Sequence, residues 1–308
     1  MATYNGGELL KKARIKMGIS QDELADGICT RESISRIERG KVMPSKYTLY
    51  ALFERLGINP HEHASYFLDN RLLEVQELMD ELDTELSFGR LERAEALIQE
   101  LERSTKFLEE KLNKQYLFLA KLSFSMHKKE NPEKRVQLAL EGIRLIFKEF
   151  LEEKISQYIL STTDIRLISG LAIAYQEEKE IFKALNIFQQ LLKNMDSRYM
   201  DKFERGRNYP MVVFNLSGLL VSENRYKEAI EVCGKGIEAC RETGFLEFLP
   251  YIAFNMASAL LEEGNLTESK MLIQEVFYTL SLYGKENQKT FVQDFAWRKF
   301  GIKFGEKL

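Results

Sequence analysis

The chain has 308 residues, with 44 Lys/Arg against 47 Asp/Glu, five prolines, one tryptophan and three cysteines. Its length is more than one core requires and implies two or more domains, and its wealth of Leu, Glu and Lys predicts helices throughout. It holds no apolar run of about 18 residues and no signal-peptide pattern, so a soluble, cytoplasmic protein with no membrane association is expected.

In chain order, residues 6–17, 20–27, 30–39 and 45–56 read as four helices, and Pro60 with His61-Glu62-His63 opens a fifth. Leu9, Leu10, Ala13 and Met17 form the inward stripe of the first, and Tyr47, Leu49, Leu52, Phe53 and Leu56 that of the fourth. Ser20 followed by Glu23 is a capping box, and Thr30 caps a helix that Gly40 ends. At about 100° per residue, Ile34 and Ile37 fall on one side of that helix. Arg31, Glu32, Ser35, Arg36 and Arg39 fall on an outer arc about 140° wide. Arginine reads guanine through two parallel hydrogen bonds, and carboxylates accept from the cytosine amine. Gln21, Lys41 and Lys46 are expected beside the DNA backbone, where contacts fix position without reading sequence. The candidate DNA-binding set is therefore Gln21, Thr30, Arg31, Glu32, Ser35, Arg36, Arg39 and Lys41. Residues 1–60 hold 10 Lys/Arg against 7 Asp/Glu and the remainder 34 against 40, so the basic excess lies with these helices.

These two helices, the amphipathic helix before them and the ending Ile37-Glu38-Arg39-Gly40-Lys41, with Pro44 beyond, resemble the Xre/Cro-like helix-turn-helix family. The resemblance implies a structural ion pair between Arg14 and Glu38, which assigns Glu38 to scaffold. The basic excess is modest, so a dimer is expected to be needed for DNA binding.

From Asp69, Leu72, Val75, Leu78, Met79, Leu82 and Leu86 recur at helical spacing in a connecting helix, whose stripe serves either dimerisation or docking on the next segment. The chain then repeats a turn, an apolar residue, two polar residues and a small one. Copies end at Ala94, Ala184, Ala229 and Ser269, with a degraded copy from Pro132 to Val136, giving steps of 42, 48, 45 and 40. Each later copy follows a helix-long apolar segment, and helix pairs at such a period imply a solenoid. The final segment, Phe291 to Phe300, is apolar enough to cap the stack.

These units resemble tetratricopeptide repeats. The fold class is all-α: a five-helix helix-turn-helix domain, then a right-handed α-solenoid of about five tetratricopeptide-like pairs. The expected domains are 1–67, DNA-binding; 68–88, a connecting helix; and 89–308, the repeats, for peptide binding and dimerisation. Phe214-Asn215-Leu216-Ser217 and Phe254-Asn255-Met256-Ala257 match at an offset of 40. The resemblance places both asparagines on the concave groove, where an amide suits the backbone of an extended peptide. By the same alignment Arg166, Met211, Ser222, Tyr251, Ser258 and Glu262 line the groove, with Arg166 suited to a peptide carboxylate. Phe214 and Phe254 read as core.

The whole combination resembles the Rgg/PlcR-type (RRNPP) group of peptide-responsive quorum-sensing transcription factors. That resemblance implies a homodimer that binds paired DNA half-sites and takes a short signalling peptide into its repeats. The rival reading is a repeat-based adaptor or inhibitor with no DNA role, against which Arg31, Arg36, Arg39 and Lys41 argue. No nucleophile–base pairing, phosphate-binding glycine loop or zinc spacing is visible, so neither enzymatic activity nor a cofactor is expected, and His61-Glu62-His63 reads as loop or helix cap and not as a metal site. Cys233 and Cys240, about 10 Å apart along one helix, form no disulfide.

Overall fold

The computed structural model describes residues 6–44, 46–56, 70–104, 107–108, 111–197, 200 and 202–304. They divide into two compact units, Met1–Thr84 and Glu85–Leu308. The expected fifth helix at Pro60, the boundary at 67/68 and the side chains of Leu9, Lys46, Tyr47, Leu72 and Val75 lie outside the described residues.

The first unit contains α1 (Gly6–Lys16), α2 (Gln21–Ala25), α3 (Arg31–Glu38) and α4 (Lys46–Arg55). Leu10, Leu24, Ile34, Ile37, Leu49, Leu52, Phe53 and Leu56 close its core. Met17 departs from the expected inward stripe: α1 stops one residue before it, and it is 50% exposed. Both halves of the capping box form, with Glu23 N–H donating to Ser20 Oγ at 3.1 Å and Ser20 N–H to Glu23 Oε2 at 2.6 Å. Thr30 Oγ1 accepts from Ser33 N–H at 3.2 Å and starts α3. Arg55 donates to the carbonyls of Glu23, Leu24 and Asp26, a cation at the α2 C-terminus where the helix dipole favours one. Gly7 lets α1 and α3 approach: a Cβ there would lie 2.0 Å from the Ile37 carbonyl oxygen.

α5 (Asn70–Ser87) carries buried Leu82 and Leu86 and leads to α6 (Leu91–Arg103) in the second unit. Then come α7 (Lys111–His127), α8 (Pro132–Arg144), α9 (Thr162–Glu177), α10 (Ile181–Ser197), α11 (Lys202–Ser222), α12 (Tyr226–Thr243), α13 (Leu249–Glu262), α14 (Leu266–Leu282) and α15 (Glu286–Phe300). α6 packs on α7, from α8 onward each second helix packs against its own first helix and the next one, and α7, α9, α11 and α13 pack in succession. The result is a layered stack of helix pairs, the repeat fold the sequence period implies. Gly170 admits Leu122 of α7 against α9, since a Cβ there would meet the leucine Cδ2 at 2.5 Å.

Ala94, Ala184, Ala229 and Ser269 are fully buried, each the fourth residue of its helix. The degraded copy is corrected by one residue. Asn131 caps α8 and Pro132 is its first residue, so the fourth position falls on Arg135 and not Val136. Arg135 is 3% exposed. Its guanidinium donates to both Glu177 oxygens and to the Glu130 carbonyl, replacing a small-residue contact by an ion pair.

The long step to Ala184 is an insertion between α8 and α9 containing a 3-10 helix, Glu152–Gln157, packed on α10. Its carbonyls are satisfied from the stack. Asn194 Nδ2 donates to the Ile155 and Tyr158 oxygens, and Gln190 Nε2 to that of Glu152. Among the described residues no helix is long and apolar enough to cross a membrane, and no His/Cys/Asp/Glu group is arranged to hold a metal. Burial pushes the Cys233 and Cys240 thiols up to about 12 and about 11, so both stay protonated.

Candidate recognition helix and ligand groove

In the first unit, Glu38 sits at the junction of three helices. Arg14 Nε and Nη2 donate to its Oε1 and Oε2 at 2.6 and 3.0 Å, Gln21 Nε2 to Oε2 at 2.7 Å, and Arg14 Nη1 to the Ile19 carbonyl at 3.0 Å. Burial opposes ionisation of this carboxyl, but the bonds from Arg14 and Gln21 outweigh it and hold its pKa below the ordinary value. α1, α2 and α3 are thus locked through one carboxylate, as the implied ion pair requires. Gln21, expected beside the DNA backbone, has its amide nitrogen engaged in this lock.

The lock presents the outer arc of α3. Arg31, Glu32, Arg36, Arg39 and, beyond the helix, Lys41 are exposed, and Ser35 is half-buried. Arg31 Nε stands 3.6 Å from Asp22 Oδ2 across open solvent, a weak tether. Arg39 Nε donates to the Ser35 carbonyl at 2.9 Å. Arg36 has no partner among the described residues. Thr30 has its hydroxyl in the helix cap. The surface offers two guanidinium groups on one short helix and a third, Arg39, at its C-cap, with the inner face of the helix buried.

In the second unit, three first helices leave the same stripe part-exposed at positions i, i+4, i+7 and i+11. These are Arg166, Gly170, Ile173 and Glu177 on α9, Met211, Asn215, Gly218 and Ser222 on α11, and Tyr251, Asn255, Ser258 and Glu262 on α13, of which only Gly170 is buried. Such spacing follows one face of each helix, and the eight expected groove residues occupy it. Several are nonetheless engaged within the protein. Ser222 and Ser258 hydroxyls donate to the Leu219 and Phe254 carbonyls, and Glu262 accepts from Lys299 Nζ at 3.2 Å. Asn215 Nδ2 donates to the Met211 carbonyl at 3.0 Å. Asn255 Nδ2 reaches across to α11, donating to the Phe214 carbonyl at 3.1 Å and Ser217 Oγ at 2.9 Å. It therefore ties two repeats together and leaves its Oδ1 with no partner among the described residues. Arg166 likewise has none. Burial, with Glu247 nearby, raises the Tyr251 phenol, which stays a neutral donor.

A pocket of about 420 Å³ opens on this face between α11, α13, α14 and α15. Of the eight expected residues it gathers Tyr251 and Asn255; its other aromatic walls are Phe214, Phe254 and Phe291, with the amides of Asn287 and Gln288. Phe214 and Tyr251 ring centroids lie 5.8 Å apart, and those of Phe254 and Phe291 5.4 Å. Phe214 and Phe254 thus wall a cavity while each also packs against a buried core cluster. Phe291, expected only in a cap, is 55% exposed. It lies 40 residues after Tyr251, as Tyr251 does after Met211, so one more step of the period reaches it.

The model of the RNPP family C-terminal domain matches residues 92–297, and a helix-turn-helix model matches residues 10–63. No curated protein sequence matches. Among solved structures, the chain is similar to Bacillus thuringiensis PlcR in complex with the peptide PapR7 and DNA, at 18% identity over 92% of this chain and 98% of that one, with a TM-score of 0.59. It is similar to the Streptococcus dysgalactiae SHP pheromone receptor Rgg2 at 13% identity, 96% and 99% coverage and a TM-score of 0.59. For the apo competence regulator ComR of Streptococcus vestibularis the figures are 15%, 97% and 99%, and 0.55. At these identities the structures establish a shared fold across both units.

Proposed function

This chain belongs to the RNPP family, whose C-terminal domain model spans residues 92–297, and on that premise we propose that it is a cytoplasmic, DNA-binding transcriptional regulator governed by a short signalling peptide. The carrying observation is the pairing of a helix-turn-helix match at residues 10–63 with the RNPP match downstream. PlcR, which shares the fold, was solved with both a peptide and DNA. We assign residues 1–67 to DNA binding, 68–88 to the connection, and 89–308 to peptide binding and dimerisation.

On DNA, α3 enters the major groove and Arg31, Arg36 and Arg39 supply base and phosphate contacts, with Glu32, Ser35 and Lys41 beside them. Gln21 and Thr30 contribute at the N-termini of α2 and α3, where backbone N–H groups favour phosphate. Two copies place two such helices about 34 Å apart, or a multiple, on paired half-sites. The peptide lies along the stripe of Arg166, Met211, Asn215, Ser222, Tyr251, Asn255, Ser258 and Glu262. It shifts DNA affinity to the extent that it binds one arrangement of the repeats better than another. Fluorescence anisotropy of the full chain on DNA from its own upstream region tests this, with and without short peptides encoded nearby and at two salt concentrations. Salt-dependent binding that a peptide shifts supports the proposal; no DNA binding under any condition refutes it.

A further inference from the structure

Resting on the peptide-receptor reading, we infer that the groove holds its ligand at two separated points. A large apolar side chain enters the ring pocket of Phe214, Tyr251, Phe254 and Phe291, and a carboxylate binds Arg166 roughly four to six residues away along the peptide. The pocket is about 420 Å³ and opens to solvent beside Phe291. A cavity walled by four aromatic rings gains from apolar area removed from water, and offset or tilted ring contacts favour an aromatic or long aliphatic occupant. The Oδ1 of Asn255, which has no partner among the described residues, can accept a backbone N–H of the residue that enters.

Arg166 supplies the second point. It stands on α9 at the stripe position that Met211 and Tyr251 occupy on α11 and α13, half-buried, and no carboxylate among the described residues pairs with it. A partly desolvated guanidinium without an internal partner is suited to an anion that arrives with the ligand. From α9 to α13 is two helix spacings, roughly 16–20 Å at 8–10 Å each. An extended chain advances about 3.3–3.6 Å per residue, so a separation of about four to six residues covers that span. The apolar anchor thus sits on the last repeats and the acidic anchor on the third pair. The carboxylate comes either from the peptide C-terminus or from an Asp or Glu side chain.

The test uses the full chain and dye-labelled hexapeptide pools, each with one position fixed and the rest randomised, made both as free acids and as C-terminal amides and read by anisotropy. Pools fixed as Phe, Trp or Leu at one end and carrying a carboxylate at the other are expected to bind best. If the terminus is the anchor, amidation weakens binding about tenfold; if a side chain is, Asp or Glu in a fixed position restores it in the amide series. Arg166→Ala should erase the preference for either carboxylate while leaving the apolar preference, and Phe291→Ser should do the converse. Both variants should keep the native circular dichroism and thermal midpoint, since Arg166 leaves no partner behind among the described residues and Phe291 is half-exposed. Binding that keeps its carboxylate preference in Arg166→Ala, or its apolar preference in Phe291→Ser, overturns the two-point inference and spares the receptor reading. Failure of every pool to bind overturns both.

Discussion

Replacing Glu38 by Gln removes the negative charge that holds α1, α2 and α3 together. The Glu38 side chain is 3% exposed and that of Arg14 12%. Three side-chain hydrogen bonds converge on this carboxylate, two from Arg14 and one from Gln21. Breaking a buried pair by removing one partner costs about 3–5 kcal/mol, because the remaining charge is left uncompensated. Here Arg14 keeps its bond to the Ile19 carbonyl, which places the cost near the lower end, about 3 kcal/mol. That is a large share of what a unit of this size possesses. Hydrogen exchange resolved along the chain reads it directly: amides of α1 to α3 should lose about a hundredfold in protection while those of α9 to α14 keep theirs. The linkage with pH has a definite sign. Because the folded Glu38 pKa is lowered, its contribution is present above the ordinary glutamate value and is lost as pH falls through the depressed folded value. Wild-type protection in the first unit should therefore drop with acid, and the Glu38→Gln protein should show less of this drop. Equal protection of the two proteins at neutral pH would refute the keystone role.

Arg36→Ala, at an exposed residue with no partner among the described residues, should leave the melting temperature unchanged and weaken specific DNA binding by about 1–3 kcal/mol in a gel-shift titration. Asn255→Ala removes two bonds to α11 and should cost the second unit about 1–2 kcal/mol in denaturant unfolding, whereas Asn215→Ala, losing one bond within its own helix, should cost less. Both should weaken peptide binding by calorimetry, and intact affinity in the double variant would refute their contact with the peptide backbone. Gly7→Ala forces a Cβ to 2.0 Å from the Ile37 carbonyl oxygen. It should push α1 off α3 and melt the first unit at lower temperature in circular dichroism; an unchanged transition would show that the helices can part without cost.

The first unit was legible because its signals are local: a capping box, a capping threonine and the spacing of Ile34 and Ile37 act within a few residues. The repeats were legible through Ala94, Ala184, Ala229 and Ser269, since a helix crossing tolerates only a small side chain there. Arg135 escaped because a buried guanidinium breaks that rule and is tolerated only through Glu177, 42 residues on. The insertion before α9 shows in the sequence only as a step of 48, as its hydrogen bonds come from Asn194 and Gln190, which nothing nearby in sequence announces. At the groove, the match of Asn215 and Asn255 followed from the period, and their expected placement came from the resemblance to tetratricopeptide repeats. The cavity-lining role of Phe214 and Phe254 was not legible, because a ring at helical spacing reads as core until the neighbouring helices that carry Tyr251 and Phe291 are placed. The bond from Gln21 to Glu38 was not legible because it spans 17 residues.

The central claim is that peptide and DNA are coupled through one chain, and linkage makes it measurable in both directions. Calorimetry would give the peptide affinity of the full protein with and without saturating upstream DNA, and anisotropy the DNA affinity with and without saturating peptide. Coupling of about 1–3 kcal/mol predicts that each ligand changes the other's affinity by the same factor, roughly 5–150-fold. Two affinities that are each indifferent to the other ligand would contradict the account.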